Sequence, residues 1–328
     1  MAMSPVDLLK RRGVLLGLSA LALPRPLRAQ TAAGAAESAE SVESARPRRA
    51  SQTPAETIVD ERVESFTLNS SAHSGEPWRI HLARPRGAAP AAGYRALYLL
   101  DGNASFPLAW HALAALRAAR PALAEALDRL ALVGIGYPSG LRIDTPRRYH
   151  DFTPYTAEEF RRARGVDLAT GGRQVFLDFL ARDVREAIAR RLPIDPQQQT
   201  LFGHSLGGLF TLHVLYNRPE LFQHYVATDP SFWWNGSSVL QEQAAFVAGA
   251  RAAGGKLASP LRLLVENAGA DAERAARPTP AASLAGLDGL RVWHRIVAGE
   301  THGSLIGPAA ADAVLFAVDQ VPEGAQRL

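Results

Sequence analysis

A serine set among closely spaced glycines is the residue in this chain best suited to nucleophilic chemistry. Ser205 lies in the run 203–208, GHSLGG, which has the pattern Gly-x-Ser-x-Gly. The run 199–202 before it, QTLF, predicts a short strand, and the run 209–215 after it, LFTLHVL, predicts a buried helix. A serine on a sharp turn from strand to helix is exposed and lies beside free N–H groups at the start of the helix. The pattern therefore predicts Ser205 as the nucleophile of an acyl-transfer reaction.

Such a serine needs a general base, and four histidines follow it in the chain. His213 falls within the predicted helix, His224 in an aromatic run, and His294 in an alternating strand pattern. His302 follows that strand in a polar, glycine-flanked loop, AGETHGS, and the next helix is predicted from Pro308 onward. We expect His302 to be the base, because the imidazole that serves such a serine lies in a loop after the last strand.

A carboxylate must hold the tautomer of that imidazole and stabilise the imidazolium. The run 261–265, LRLLV, predicts a strand, and the acid normally follows such a strand within a few residues. Glu266 and Asp271 both qualify, and we expect Asp271, which follows a turn of small residues, with Glu266 as the alternative. Glu300 is a third candidate, although its position two residues before His302 is poor geometry for orienting the ring.

An oxyanion hole needs two N–H donors. One is predicted to be the backbone N–H of Leu206, the residue after the nucleophile. The other should come from the loop 101–104, DGNA, which follows the predicted strand 94–100, YRALYLL. Gly102 and Asn103 are the candidates, and we expect Asn103.

The elements that must position these residues alternate between strand and helix. The runs 63–68 and 78–82 predict an N-terminal hairpin. Further strands are predicted at 94–100, 130–136, 199–202, 223–227, 261–265 and 290–297, and helices at 106–119, at 175–191 and from residue 308. Such alternation is typical of the α/β class, with a mostly parallel sheet and helices on both faces, and with this serine motif it predicts an α/β-hydrolase fold.

Five motifs occur in order along the chain. They are 97–103, LYLLDGN; 149–154, YHDFTP; 203–210, GHSLGGLF; 229–234, DPSFWW; and 299–304, GETHGS. Together they resemble the putative-esterase family of α/β-hydrolases, in particular its branch of periplasmic enterobactin and salmochelin (siderophore) esterases, over residues 58–321. The resemblance implies hydrolysis of esters, including those of a catecholate siderophore trilactone, with Ser205 as nucleophile and His302 as base. It implies Leu206 and Asn103 as the oxyanion donors. Members vary at the acid position, so the choice of acid stays open.

An insertion at about 137–172 interrupts the alternation. Its candidates for binding are Arg142, Arg147, Arg148, Tyr149 and Tyr155. Arginine and tyrosine can bind an anionic aromatic substrate by charge-assisted hydrogen bonds and stacking, and the alternative is a solvated surface loop. We expect Arg148 and Tyr149 to contact substrate. Of Trp233 and Trp234, we expect one to pack in the core and assign the substrate pocket to Trp233.

The N-terminal segment has the pattern of an export signal. Basic residues at 10–12, KRR, precede an apolar run at 13–23, which at about eleven residues is too short to span a bilayer. We expect a Tat-type signal peptide over residues 1–29, with an ordinary Sec signal as the alternative, and therefore a periplasmic protein with no stable membrane anchor after cleavage. Residues 30–55 contain few large apolar side chains and are expected to form a disordered tether. Residues 56–328 then suit a single α/β-hydrolase domain.

Composition excludes several classes of chemistry. The chain has no cysteine, so it can form no disulfide, thiolate nucleophile or zinc–thiolate site. Its net charge of +4 comes from scattered residues and does not indicate a nucleic-acid partner. No metal or cofactor is expected, and the expected partner is a small-molecule ester. Two alternatives to a siderophore esterase stay open, an acyltransferase on the same scaffold and a general carboxylesterase for short-acyl or aryl esters.

Overall fold

The structure is a computed structural model that describes residues 53–276 and 279–328. The expected signal peptide, residues 1–29, and residues 30–52 of the expected tether lie outside the described residues. Among the described residues, no helix is long and apolar enough to cross a membrane.

The end of the expected tether pairs with the insertion. The N–H of Ala55 donates to the carbonyl of Gly140 at 2.8 Å, and the N–H of Arg142 donates to the carbonyl of Thr53 at 2.7 Å. Residues 53–55 therefore belong to the folded domain rather than to a tether, because their backbone groups are satisfied by the domain itself.

The strands of the described chain form a nine-stranded sheet in the order β1-β2-β4-β3-β5-β6-β7-β8-β9. The strands are β1 Val63–Leu68, β2 Trp78–Ala83, β3 Tyr94–Leu100, β4 Leu130–Gly136, β5 Ile194–His204, β6 His224–Thr228, β7 Lys256–Ala268, β8 Asp288–Val297 and β9 Gln326–Arg327. Neighbours from β4 through β3 and β5 to β8 are parallel, whereas β1, β2 and β9 pair antiparallel at the edges. The predicted N-terminal hairpin is thus confirmed as β1 and β2.

Helices follow the parallel strands, as the alternation predicts. The α-helices are α1 Gly102–Ala119, α2 Ala124–Asp128, α3 Thr145–Phe152, α4 Glu158–Ala163, α5 Arg173–Phe179, α6 Arg185–Ala189, α7 Leu206–Asn217, α8 Trp234–Ala252, α9 Ala272–Ala275 and α10 Ile306–Ala317. A π-helical turn, Leu180–Val184, joins α5 to α6 within the predicted helix 175–191. The first helix begins four residues earlier than predicted, because the turn after β3 is already its first turn. The predicted loop over 137–172 contains α3 and α4.

Two hydrophobic layers cover the two faces of the sheet. Successive side chains of β3 point to opposite faces, so Tyr98 and Leu100 pack in one layer and Leu97 and Leu99 in the other. The first layer includes α7 and the second includes α1 and α10. A mostly parallel sheet with helices on both faces is the predicted α/β-hydrolase architecture.

The register of the sheet brings three loops together at one edge. Leu99 of β3 pairs with Phe202 of β5, and Gly203 of β5 pairs with Ala227 of β6. Because these strands are parallel neighbours, the turns after β3, β5 and β6 emerge side by side. This edge carries the predicted nucleophile and oxyanion loop.

Candidate active site

Ser205 occupies a strained turn between β5 and α7. Its φ of 60° and ψ of −120° place it in a region that residues with a side chain seldom adopt. A Cβ added at Gly203 would lie 2.2 Å from the carbonyl oxygen of Gly207, so only glycine permits the crossing of strand and helix. The N–H of Ser205 donates to the carbonyl of Thr228 at 2.9 Å, which ties the turn to β6. The geometry is that of the turn predicted from the motif.

His302 lies in the turn between β8 and α10, beside the strained serine turn. Its Nδ1 is 2.7 Å from Oδ2 of Asp229, whose side chain is fully buried. The ring of His302 also lies against the ring of His204, with 4.7 Å between centroids, and His204 directly precedes Ser205. An imidazole with a buried carboxylate on Nδ1 has the arrangement of a general base that accepts a proton on Nε2.

Asp271, the predicted acid, is not the carboxylate on Nδ1 of His302, because Asp229 occupies that position. Asp271 is exposed, and its Oδ1 accepts the backbone N–H of Glu273 at 3.0 Å, so it caps the short helix α9. The alternative, Glu266, is fully buried and accepts from Thr228 and Arg295.

The carboxylate that faces Nδ1 follows β6 rather than β7. Asp229 comes directly after a strand that is buried along its whole length and is the parallel neighbour of β5. The sequence does carry a signal for Asp229, which is a charged residue at the carboxyl end of the strand next to the nucleophile strand. Asp229 also belongs to the run DPSFWW, whose aromatic residues indicate a substrate pocket rather than a catalytic acid.

The expected oxyanion loop is held rigidly at the start of α1. Asp101 adopts a left-handed φ of 50°, and a Cβ added at Gly102 would lie 2.6 Å from the backbone nitrogen of Ile135. Asn103 is buried, and its side-chain Nδ2 donates to the carbonyls of Tyr137 at 2.9 Å and Leu141 at 2.8 Å. Its side chain is thus engaged in the fold, so the oxyanion role predicted for Asn103 would fall to its backbone N–H. Leu206 is likewise buried, in the first turn of α7.

Arg148 does not occupy the substrate-binding position predicted for it. Its guanidinium is buried against Asp101, with Nε 3.1 Å from Oδ1 and Nη2 3.1 Å from Oδ2. Burial disfavours the charge, but the carboxylate outweighs burial and raises the pKa of Arg148 above its usual value. Arg147, from the same predicted set, pairs with Glu76 at 2.9 Å and stacks over Trp78 at 5.2 Å.

The two aromatic residues predicted to bind substrate are half-buried. Tyr149 meets the buried ring of Trp234 edge-on, with 5.6 Å between centroids. Trp233 carries the guanidinium of Arg164 at 4.4 Å from its ring centre. Trp234 is fully buried, so the expected division between a core tryptophan and a more accessible one is found in the structure.

The residue before the nucleophile is kept neutral. Burial lowers the pKa of His204 well below its usual value, and the nearby charge of His302 lowers it further. A neutral ring tilted against His302 adds no positive charge beside the candidate base. Among the described residues, no group of three or more histidine, aspartate or glutamate side chains could hold a metal ion.

A serine in a strained strand–helix turn beside a buried Asp–His pair, on this sheet, defines an α/β-hydrolase. The model of the family described as "Putative esterase" matches residues 70–304, and the chain belongs to this family. The matched range includes Ser205, Asp229 and His302.

The relatives that the chain matches include two siderophore esterases. The chain is 37% identical over 199 residues to a siderophore triacetylfusarinine C esterase of Aspergillus fumigatus, covering 56% of this chain and 61% of that protein. It is 36% identical over 183 residues to the ferri-bacillibactin esterase BesA of Bacillus subtilis, covering 55% of this chain and 62% of that protein. The match therefore spans about three-fifths of each relative's length.

Solved structures resemble the fold over a larger share. The BES protein from Bacillus cereus superposes with a TM-score of 0.68 and 27% identity, covering 80% of this chain and 97% of that one. The siderophore hydrolase EstB from Aspergillus nidulans has a TM-score of 0.64 and 26% identity, covering 80% and 97%.

Proposed function

We propose that this protein is a serine ester hydrolase that acts through an acyl-enzyme on siderophore esters of the catecholate trilactone class. The observation that carries the proposal is the contact of 2.7 Å between Asp229 and His302 beside the strained turn of Ser205. Membership of the esterase family and the siderophore esters in the names of two relatives support a siderophore ester as substrate.

The proposed reaction begins with proton transfer from the Ser205 hydroxyl to Nε2 of His302. The oxygen attacks the ester carbonyl, and the negative charge that develops on the carbonyl oxygen is received by the backbone N–H groups of Leu206 and Asn103. Asp229 stabilises the imidazolium that forms. The imidazolium then gives its proton to the departing alcohol, and water releases the acyl group in a second cycle of the same kind.

Trp233 and Arg164 are the proposed contacts for an anionic aromatic acyl group. The N–H of Ser231 donates to the carbonyl of Ser205 at 3.2 Å, so the chain leading to Trp233 starts at the nucleophile turn. The guanidinium of Arg164 lies over the Trp233 ring and also 4.9 Å from the centre of Phe160. A cation seated on aromatic rings suits a ligand that is itself aromatic and negatively charged.

Turnover of purified protein on ferric and iron-free catecholate trilactones, beside p-nitrophenyl acetate, tests the proposal. We expect hydrolysis of the trilactone, and an Arg164→Gln variant should raise KM for it about tenfold while leaving KM for the neutral ester unchanged. Arg162→Gln is the matched control, because Arg162 is an exposed arginine on α4 that pairs with Glu158 in its own helix.

Other outcomes would change the assignment. Good turnover of simple esters with no cleavage of any trilactone would indicate a general carboxylesterase. Formation mainly of acylglycerol when glycerol is added would indicate an acyltransferase, since a hydrolase passes the acyl group to water.

We also propose that the protein is exported to the periplasm. The support is the basic run 10–12 ahead of the apolar run 13–23. Replacing Arg11 and Arg12 together by lysine should leave the protein in the cytoplasmic fraction if the Tat route is used. Unchanged periplasmic recovery of this variant would favour the Sec route.

A further inference from the structure

The second oxygen of Asp229 begins a chain of hydrogen bonds that leads away from the reaction centre. Oδ2 of Asp229 faces His302, whereas Oδ1 accepts Nδ2 of Asn267 at 3.0 Å. Oδ1 of Asn267 in turn lies 2.9 Å from Nε2 of His294. Four side chains, from two strands and two turns, are therefore joined in one line, His302–Asp229–Asn267–His294.

The strands place Asn267 and His294 on the same face of the sheet. Their sequence neighbours Glu266 and Arg295 point to the opposite face, where Arg295 binds Asp312 of α10. The ionic cluster on that face is thus separate from the line through Asn267. The N–H of Asp229 also donates to the carbonyl of Glu266 at 2.7 Å, so the backbone of the acid is fixed by β7 as well.

We infer that Asn267 and His294 are positioning residues, with Asn267 holding the Asp229 carboxylate toward His302 and His294 holding the Asn267 amide in the orientation that does so. The inference rests on the proposed esterase mechanism.

The chemistry of the amide explains why both residues are needed. A carboxylate offers only acceptors, so the amide must present its N–H₂ group to Asp229 and its oxygen to His294. In the reversed orientation two oxygens would face each other across a part-buried contact. With its proton on Nε2, His294 donates to the amide oxygen and so stabilises the orientation that presents the N–H₂ group to Asp229. Burial lowers the pKa of His294, which favours the neutral ring with a single N–H.

The hydrogen bonds to Asp229 also stabilise its negative charge. Asp229 is fully buried, and a buried carboxylate is stable as an anion only when donors surround it. His302 and Asn267 supply one donor to each oxygen. His302 donates through Nδ1 while the proposed proton transfer takes place at Nε2, and Asn267 holds the other oxygen of the carboxylate. Charged and titratable groups lie on both sides of this line. His204 and Arg148 lie beside the Ser205 turn, and Glu266 and Arg295 lie on the opposite face of β7 and β8.

The test uses hydrolysis of p-nitrophenyl acetate by the full chain. Asn267→Leu, which keeps the size but removes the donor, should lower kcat about tenfold with KM unchanged. In an Asp229→Asn background the same substitution should cost less than about twofold, because the carboxylate that it positions is gone. His294→Phe should also lower kcat, and His294→Gln should restore most of it by returning an N–H near the position of Nε2.

Asn217→Leu is the matched control. Asn217 makes a similar contact with His213 and Glu242, away from Asp229, and its loss should leave kcat unchanged. Equal losses from Asn267→Leu with and without Asp229 would overturn the inference and assign Asn267 a structural role. Failure of His294→Gln to exceed His294→Phe would overturn the role of His294. If wild-type protein hydrolyses no ester, the proposed function itself fails, which is a different result.

Discussion

Arg148 and Asp101 form a buried two-point ion pair that joins the two turns of the candidate active site. Asp101 is the left-handed residue immediately before α1, which carries the predicted oxyanion donor Asn103. The same guanidinium places Nη2 3.4 Å from the carbonyl of His204, directly before the nucleophile. One side chain from the insertion therefore contacts both loops whose separation determines the oxyanion hole.

Asp101→Asn should destabilise the protein strongly, because it leaves the Arg148 cation buried without its partner. Breaking a buried ion pair in this way typically lowers the free energy of unfolding by about 3–5 kcal/mol. Asparagine tolerates a left-handed backbone, so the change isolates the charge from the turn. Urea unfolding of the purified variant measures the loss.

Glu76→Gln is the matched control for Asp101→Asn. It breaks the pair between Arg147 and Glu76, whose carboxylate side chain is 79% exposed, and should cost less than about 1 kcal/mol. A different outcome would be an Asp101→Asn variant that is as stable as wild type and has a raised KM for an anionic substrate only. That result would support the substrate-binding role that the sequence predicts for Arg148.

Ser205→Ala should abolish esterase turnover with the fold intact. Loss of the nucleophile in a triad lowers kcat by about 10⁶-fold. A fluorophosphonate probe should label Ser205 in the wild-type protein and no serine in the variant, as checked by peptide mass spectrometry. Activity above about one hundredth of wild type would contradict the acyl-enzyme mechanism.

Asp229→Asn and Asp271→Asn distinguish the acid found in the structure from the one expected from the sequence. Asp229→Asn should lower kcat by about 10⁴-fold, because an amide at this position favours the wrong imidazole tautomer. Asp271→Asn should leave kcat unchanged, since asparagine caps a helix as well as aspartate does. A larger loss from Asp271→Asn than from Asp229→Asn would reverse the assignment.

The contrast between Ser205 and Asp229 shows how far the sequence predicts this site. The serine turn is determined by nearby residues, namely the adjacent glycines and the strand and helix that flank them. Its position and conformation can therefore be predicted from the sequence. The acid depends on which of two parallel strands ends nearest His302, and that is decided by how the sheet twists and packs over residues 73 apart. The burial of Arg148 likewise depends on a partner 47 residues away, so the sequence suggested a cation that contacts substrate.

Glu266 belongs to an ionic cluster on the opposite face of the sheet from Asn267. It shares the cation of Arg295 with Asp312, since Arg295 binds both carboxylates. Burial, with the charge of Asp312 nearby, raises the pKa of Glu266 well above its usual value of 4.5. Burial also raises the pKa of Asp312. The folded state therefore retains a proton that the unfolded chain releases as the pH rises above about 4.5.

Glu266→Gln should consequently keep esterase activity and change how stability depends on pH. In the wild type, Glu266 keeps its proton in the folded state from about pH 4.5 up to its raised pKa, whereas the unfolded chain loses it. The free energy of unfolding therefore falls as the pH rises through this window. Glu266 contributes at most about 1.4 kcal/mol to this fall per pH unit. Glutamine carries no titrating proton and leaves the pair between Arg295 and Asp312 in place, so the variant should gain stability relative to wild type as pH rises. Urea unfolding at pH 5 and pH 8 measures this difference. A loss of kcat by orders of magnitude in this variant would identify Glu266, rather than Asp229, as the acid that serves His302.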